Sequence, residues 1–554
     1  MVEKSSDYDR FTYTFDDTDT LKANYGIKPY IVSDSDPEER YNCTWTSLSK
    51  IDESLVGKEI LTRVRVQRLR IKGKGGFVVL RDGLNTAQGC LFVEEGKVSL
   101  QMIQFTSSLS HESIVDIVSE VTKAQKPIES CTVKDFELQI RKIFLVQACV
   151  KVLPFQIEDA NRKSDKSAEE EVEEQVLTKE PENKENKENK EQSKEDKKKE
   201  KKAAKEQEKK EKAEKADKEK EKANIIVKSN TRFDNRVLDL RVLATQSLMK
   251  LQSAVGRLYR DYLFDLDFVE IHTPKLIQGA SEGGTNVFKL KYFDREACLA
   301  QSPQLYKQMA IVGGLEKVFE VAPVFRAENS NTGRHLCEFT MLDMEMSFKN
   351  HYFEVIDVIH GLFYHIFEGL RNNYKHELNV VANQYPFEIL EYTKEVVKLT
   401  FHEGVELLKE KGIEQDVNKD LDTITERKLG EIIKEKYKTD FYFLYRYPKS
   451  ARPFYTMRYS KDENFTNSYD AFIRGEEVLS GAQRIHDYEQ LYKNVVDAGI
   501  NPETLKDYLN AFKLGAPPHG GCGIGLERIV KLFTGFGNVK RCCMFPRDPG
   551  RLAP

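Results

Sequence analysis

Residues 184–222, KENKENKEQSKEDKKKEKKAAKEQEKKEKAEKADKEKEK, contain almost no apolar side chain. Such a stretch cannot bury enough surface to offset the entropy of an ordered chain. No hydrophobic core can run through it. It lies well inside a chain of 554 residues, so the sequence on either side must fold as separate units. Over 161–224 the charges divide into an acidic first half and a basic second half. Glu and Lys recur at i,i+4 spacings, which favours a disordered linker or a transient, solvated helix. The alternative is a basic arm with salt-dependent affinity for a polyanion.

Ahead of this insert, residues 1–55 are polar and weakly patterned and read as a loosely held extension. Period-two alternation begins at KEILTRVRVQRLR (58–70), with Arg63, Arg65 and Arg68 among the polar positions. Further strand patterns follow at 75–82, 86–94, 113–121 and 131–149, with Gly73, Gly75, Gly76 and Gly83 as turn residues. Five short strands in about 100 residues suit an OB-type β-barrel over 56–155. Strand number alone equally fits another small barrel or sandwich with a basic, solvated face.

The whole-chain charge of -4 gives neither a basic coat nor an acidic tail, so any nucleic-acid contact must come from local patches. The nine cysteines show no CxxC pair and no Cys/His ligand spacing, which argues against a zinc site and a disulfide framework and suits a reducing compartment. The start, MVEKSSDYDR, lacks an apolar signal core and is too acidic for a mitochondrial transit peptide. No apolar run approaches a membrane span. A cytosolic, soluble protein is expected.

Residues 156–230 form the hinge that carries the insert, and 231–554 read as one α+β unit. Apolar residues at 248, 251, 255, 258, 259 and 262 predict a helix over TQSLMKLQSAVGRLYRDYLFD (245–265), followed by a strand at FVEIHTPKLI that ends near Pro274.

Within this unit, FRAENSNTGRHLCEF (325–339) places Arg326 and Glu328 before a polar turn and Arg334, His335 and Phe339 after it. A guanidinium fork suits phosphate oxygens, and an aromatic face suits a heterocycle. A surface hairpin with ordinary ion pairs fits the same residues. GCGIGLERIVKLF (521–533) allows close backbone approach and puts Arg528 in a first helical turn. It is neither a Walker motif nor a dinucleotide fingerprint. YDAFIRGEEVLSGAQRIHD (469–487) brings Asp470, Glu476, Glu477 and Ser480 near Arg484. Hard oxygen ligands of this kind suit magnesium, and an ion-paired strand is the other reading.

Taken together, these segments resemble the signature motifs of class II aminoacyl-tRNA synthetases. FVEIHTPKL with its preceding helix is similar to motif one, FRAENSNTGRHLCEFTMLDMEM to motif two, and GIGLERIVKLF to motif three. GASEGGTNVF (279–288), LAQSPQLYKQ (299–308), RGEEVLSGAQRIHD (474–487) and the terminal FPRDPGRLAP resemble the aspartate-specific branch of eukaryotic and archaeal type. The resemblance implies an N-terminal OB-fold barrel, and a catalytic domain built on an antiparallel sheet flanked by helices. It also implies ATP as substrate, Mg2+, L-aspartate and tRNA(Asp) as partners, and a homodimer formed through the 246–279 helix–strand element.

On that resemblance Arg326, Arg528 and Glu477 are the catalytic residues. Ala327, Glu328, Arg334, His335, Leu336, Phe339, Gly525, Leu526 and Glu527 join them around ATP, and Asp470, Glu477 and Ser480 hold the metal. Aspartate falls to Glu282, Gln301, Gln304, Lys307, Arg326, Asp343, Ser480 and Arg484. Ser281 to Gly284 matches a loop that closes over substrate. Phe77, Gln88 and Glu137 match anticodon-reading positions, an aromatic to stack a base and two polar groups to read edges.

Asparagine-specific relatives share the three motifs but generally lack the lysine at the position of Lys307. A neutral amide would leave that ammonium unpaired, at a cost of a few kcal/mol. A fold-related asparagine synthetase would lack the barrel, and a non-catalytic tRNA-binding paralogue would have lost Arg326, Arg528 or Glu477. The insert departs from the family pattern, since eukaryotic relatives carry their Lys-rich segment before the barrel.

Overall fold

The computed structural model describes residues 11–27, 44–163, 226–278 and 287–553. It divides into two compact units, Met1–Gln156 and Ile157–Pro554. Most of the charged insert, and the loop containing Glu282, lie outside the described residues.

In the first unit, β1 (Tyr25–Ile27), β2 (Glu59–Lys72), β3 (Gly75–Asp82), β4 (Asn85–Phe92), β5 (Ile114–Lys123) and β6 (Phe136–Gln147) form one sheet. Its order is β1-β6-β4-β3-β2-β5, and β5 also pairs with β6, so five strands close into a barrel. Alternation buries Ile60, Val64 and Val66 of β2 and turns Arg63, Arg68 and Arg70 outward. At Gly76 a Cβ would collide with the carbonyl of Arg70, so glycine lets β3 hug β2 just where Phe77 begins the outer face.

The N-terminal segment differs from the expected loose extension over its described part. Phe11, Tyr13, Phe15 and Tyr25 gather around Phe105 of helix α1 (Leu100–Ser107), with ring centroids 5.1 to 6.2 Å from it. β1 adds to β6 in parallel, and Leu48 and Ile51 are buried in the same core. Phe11, Tyr13 and Phe15 alternate with Thr12 and Thr14 in the short stretch FTYTF, and with Tyr25 each adds a large apolar area to a barrel end.

The second unit is built on eight strands. β11 (Lys317–Phe325), β12 (Glu338–Ser347), β17 (His519–Gly525), β16 (Glu476–Gln483), β15 (Ser468–Ile473) and β14 (Phe441–Tyr445) are antiparallel neighbours. The edges are parallel: β7 (Val269–Glu270) pairs with β11, and β13 (Lys398–Thr400) with β14. β8 (Leu276–Ile277), β10 (Arg295–Leu299) and β9 (Lys289–Tyr292) make a separate small sheet.

Helices α2 (Leu243–Phe264) and α4 (Phe353–Asn373) cover one sheet face. The stripe read from α2 is buried at Leu248, Leu251, Val255, Leu258 and Tyr259, with Tyr262 at its margin. Tyr259 also donates its hydroxyl to the carbonyl of Asp343 at 2.8 Å, which ties helix to sheet. On the other face a smaller apolar cluster covers Tyr442 and Leu444 of β14 and Phe472 of β15, and the region of β12, β16 and β17 is left for polar chemistry.

Candidate active site

A cleft of about 560 Å³ opens on that second face, lined by residues of β12, β16 and β17, by the hairpin that begins at Arg326, and by the 450–456 segment. Two acids on β12, Asp343 and Glu345, project to the same face by alternation and lie opposite Gly523 and Gly521 of β17. A Cβ at Gly521 would strike Glu345 and the carbonyl of Met344, and one at Gly523 would come within 3.2 Å of Asp343. The alternating glycines of GCGIG therefore make room for two buried carboxylates.

Arg484 donates from Nε and Nη2 to Glu345, at 2.9 and 3.1 Å, and from Nη2 to the carbonyl of Gly521. Glu345 is fully buried, yet the guanidinium, with Lys307 behind it, holds its carboxyl below the usual range against the opposing effect of burial. Arg484 lines the cleft, and its Nη1 makes no hydrogen bond among the described residues.

Lys307, on helix α3 (Gln304–Val312), does not reach the cleft wall. Its ammonium donates to Asp343 at 2.8 Å and to the carbonyls of Cys522 and Met344, with Glu345 at 3.4 Å. It stands behind Asp343, which does line the cleft, so two cations and two acids interlock. Gln304 lines the cleft with a buried Nε2 that has no partner among the described residues, whereas Gln301 is buried but off the wall.

Arg326 follows the last residue of β11. Its backbone N–H donates to the carbonyl of Cys337 at 2.9 Å, and its guanidinium lies 5.5 Å from the ring centre of Phe339. Nε is buried without a hydrogen-bond partner, a donor left for something in the cleft. Across the cleft, Gly525 caps helix α6 (Leu526–Thr534), and Arg528 donates to the carbonyl of Glu477 at 3.0 Å.

The hairpin tip is not loose, contrary to what its polar sequence suggests. Val539 donates its N–H to Gly333, and Lys540 reaches Asn331 at 2.5 Å. Arg334 lines the cleft and is held there by Glu426 of helix α5 (Thr423–Tyr437) at 2.9 Å and Glu476 at 3.3 Å. Burial pushes Glu426 up to about 7, and Arg334 opposes that rise. His335 accepts or donates at Thr332 (2.6 Å), and burial pushes its pKa down. These partners come from segments about 90 to 200 residues away, which a local pattern cannot reveal.

Glu328, His335, Leu336 and Phe339 line the cleft, as do Gly525 and Glu527. Ala327 and Leu526 do not, and Leu526 is instead buried against the helical core. Glu527 is a brace: its carboxylate accepts from the N–H of Thr340 and from Gln252, and burial pushes it up to about 7.

Asp470 and Ser480 are directly paired across β15 and β16. Strict alternation would put Glu477 on the opposite face from Ser480. The register shift beside Ala471 and Phe472 reverses that, burying both Val478 and Leu479 and bringing Glu477 to the cleft. Burial, then the charge of Asp470, raises the pKa of Glu477. Asp470 Oδ1 is buried with no partner. No group of three or more Cys, His, Asp or Glu poised for a metal occurs among the described residues. A repelling carboxylate pair with an open oxygen and a nearby hydroxyl does fit one hard divalent cation that takes its remaining ligands from phosphate and water.

Sequence reasoning missed Glu345 and the whole 450–456 wall. Glu345 had a signal, since MLDMEM sets two acids at period two inside an apolar strand. The wall had none.

In the first unit, Gln88 donates to Glu137 at 2.7 Å across adjacent strands, and Phe77 stands 39% exposed with its ring edge-on to Phe92. An exposed aromatic beside a polar pair and outward arginines suits a single-stranded nucleic acid.

The family model for class II tRNA synthetases (D, K and N) matches residues 228–549. The chain is 43% identical over 509 residues to the cytoplasmic aspartate–tRNA ligase 1 of Arabidopsis thaliana, covering 92% of this chain and 86% of that protein. It is 41% identical over 537 residues to the cytoplasmic aspartate–tRNA ligase of Homo sapiens, covering 97% and 96%. The solved aspartyl-tRNA synthetase of Entamoeba histolytica superposes with a TM-score of 0.79 at 40% identity, covering 96% of both chains. The asparaginyl-tRNA synthetase of Pyrococcus horikoshii shares the fold at 24% identity and a TM-score of 0.71, covering 92% and 99%.

Proposed function

The chain belongs to the class II tRNA synthetase family (D, K and N), and on that premise we propose that it is an aspartate–tRNA ligase. It activates L-aspartate with ATP and transfers the aspartyl group to the 3′ end of tRNA(Asp). The observation that carries this reading is the Arg484–Glu345–Lys307–Asp343 lattice beside the open guanidinium donors of Arg326 and Arg484.

Aspartate presents a side-chain carboxylate and an α-amino group. Arg484, oriented through two bonds to Glu345, offers Nη1 to the carboxylate, and Lys307 adds positive potential from behind. Asp343 on the wall, with Gln304, suits the amino group. The α-carboxylate then attacks the α-phosphate of ATP and displaces pyrophosphate, and a ribose hydroxyl at the 3′ end of the tRNA afterwards takes the aspartyl group and releases AMP. Arg326 stands at a rigid strand end to stabilise the charge of the first transition state, and Arg528 holds the outer phosphates. Phe339 offers a face for adenine, beside Glu328 and His335. No covalent enzyme intermediate is required.

Asp470, Glu477 and Ser480 are the residues that would hold Mg2+, which when bound offsets phosphate charge. Phe77, Gln88 and Glu137 would read the anticodon. The 246–279 element would form a homodimer, consistent with exposed Phe264, Val269 and Leu276 at its end. The relatives are named cytoplasmic, and among the described residues no helix is long and apolar enough to cross a membrane; the same compartment is assigned here.

Charging of purified tRNA(Asp) and tRNA(Asn) with labelled aspartate tests the reading. Aspartyl-tRNA(Asp) should form, and R326A should abolish it with tRNA binding kept. No charging of tRNA(Asp) contradicts the reading.

A further inference from the structure

The 450–456 wall carries a cation that none of the roles above uses. Arg452 lies at the end of a short turn, 8% exposed, with its guanidinium carbon 3.9 Å from the ring centre of Tyr447. Its Nη2 donates to Asp470 Oδ2 at 2.6 Å and its Nη1 to Ser480 Oγ at 2.7 Å. One fork thus spans two of the three groups assigned to the metal, while Asp470 Oδ1 is left without a partner. Arg452 and Asp470 are both nearly buried, with side chains 8% and 3% exposed, so removing either leaves the other's charge uncompensated.

We propose that Arg452 is a positioning residue, a built-in counter-cation for the acidic site. It holds Asp470 and Ser480 in place before ATP arrives, and it keeps the site's affinity for a divalent ion low. This inference rests on the assignment of Asp470, Glu477 and Ser480 as the metal's holders. The physical reason is charge. Asp470 and Glu477 lie on adjacent strands, Glu477 already has Arg528 at 3.8 Å, and without Arg452 the carboxylate of Asp470 would either draw in a cation or lose its fixed position. A fixed guanidinium prevents both, because it neutralises one carboxylate yet leaves that carboxylate's second oxygen open. It also repels a second cation at short range, so an ion lacking phosphate ligands binds weakly. Phosphate-bound magnesium arrives with its own compensating charge, so the site favours nucleotide-bound ion over free ion.

The test measures Mn2+ binding without nucleotide, by electron paramagnetic resonance of the free ion, in the full-length protein. R452M should bind Mn2+ about tenfold more tightly than wild type, and R452K should stay within about twofold. Millimolar Mg2+ should raise the melting temperature of R452M more than that of wild type, a response a merely structural arginine would not give. Equal or weaker Mn2+ binding in R452M, with D470N showing that Asp470 is needed for binding, overturns the role of Arg452 alone. Mn2+ binding that D470N leaves unchanged overturns the ligand assignment, and the proposal with it.

Discussion

Arg484 and Glu345 face each other through two parallel hydrogen bonds, 2.9 and 3.1 Å long, at a fully buried carboxylate. The bond pair fixes the guanidinium plane and leaves one amino group toward the cleft. E345Q removes one charge-assisted acceptor and leaves a buried cation undercompensated. We expect aspartate-dependent kcat/KM to fall about 100-fold with the KM for ATP little changed, and stability to fall by about 3 kcal/mol. Steady-state exchange kinetics and urea unfolding check the two effects.

Lys307 acts from behind Asp343 rather than from the cleft wall. K307L should abolish aspartate-dependent exchange because Asp343 and Glu345 lose a shared cation and the potential at the carboxylate site reverses. Circular dichroism should show an intact fold. Normal exchange would remove Lys307 from the account.

Arg334 docks the hairpin on Glu426 and Glu476. R334A should free the tip and raise the KM for ATP about tenfold, with the KM for aspartate within about twofold. Such a value matches one lost partly buried ion pair rather than a lost catalytic group.

Glu527 titrates with the opposite sign to a salt-bridged acid. Its folded pKa is raised from 4.5 to about 7 by burial. The folded state therefore holds a proton that the unfolded state has released, and stability falls as pH rises between those values. The loss attributable to this group is about 3 kcal/mol. In E527Q the stability difference between about pH 4 and pH 8 should shrink by that order, read as a smaller displacement of the urea midpoint.

Phe77 tests the barrel separately from the cleft. F77A should raise the KM for tRNA(Asp) about tenfold, in line with about 1–3 kcal/mol for one stacked base. Exchange without tRNA should be unaffected.

The residues legible in the sequence were those whose meaning is local. The helical stripe from Leu248 to Tyr259, the alternation in β2, and the glycine turn before Leu526 follow from side-chain periods and backbone freedom. Strand alternation also sorts Asp343 and Glu345 onto one face. What local pattern does not show is pairing over distance. Arg452 reads as an ordinary loop residue until β15 and β16 bring Asp470 and Ser480 to it. Glu477 reaches the cleft only through an irregular register. The hairpin tip looks free until Glu426 and Lys540 fold onto it. The aromatic alternation at 11, 13 and 15 is too short to name a partner, and with Tyr25 it finds its meaning only around Phe105.

The central claim is that this cleft selects a carboxylate side chain. ATP–pyrophosphate exchange by the wild-type protein, run with aspartate and with asparagine in parallel, tests it most directly. The lattice of Arg484, Glu345, Lys307 and Asp343 predicts robust exchange with aspartate and a kcat/KM for asparagine lower by about 1000-fold or more, since a neutral amide leaves buried charge unmatched. Equal exchange with both, or exchange with asparagine alone, would contradict it.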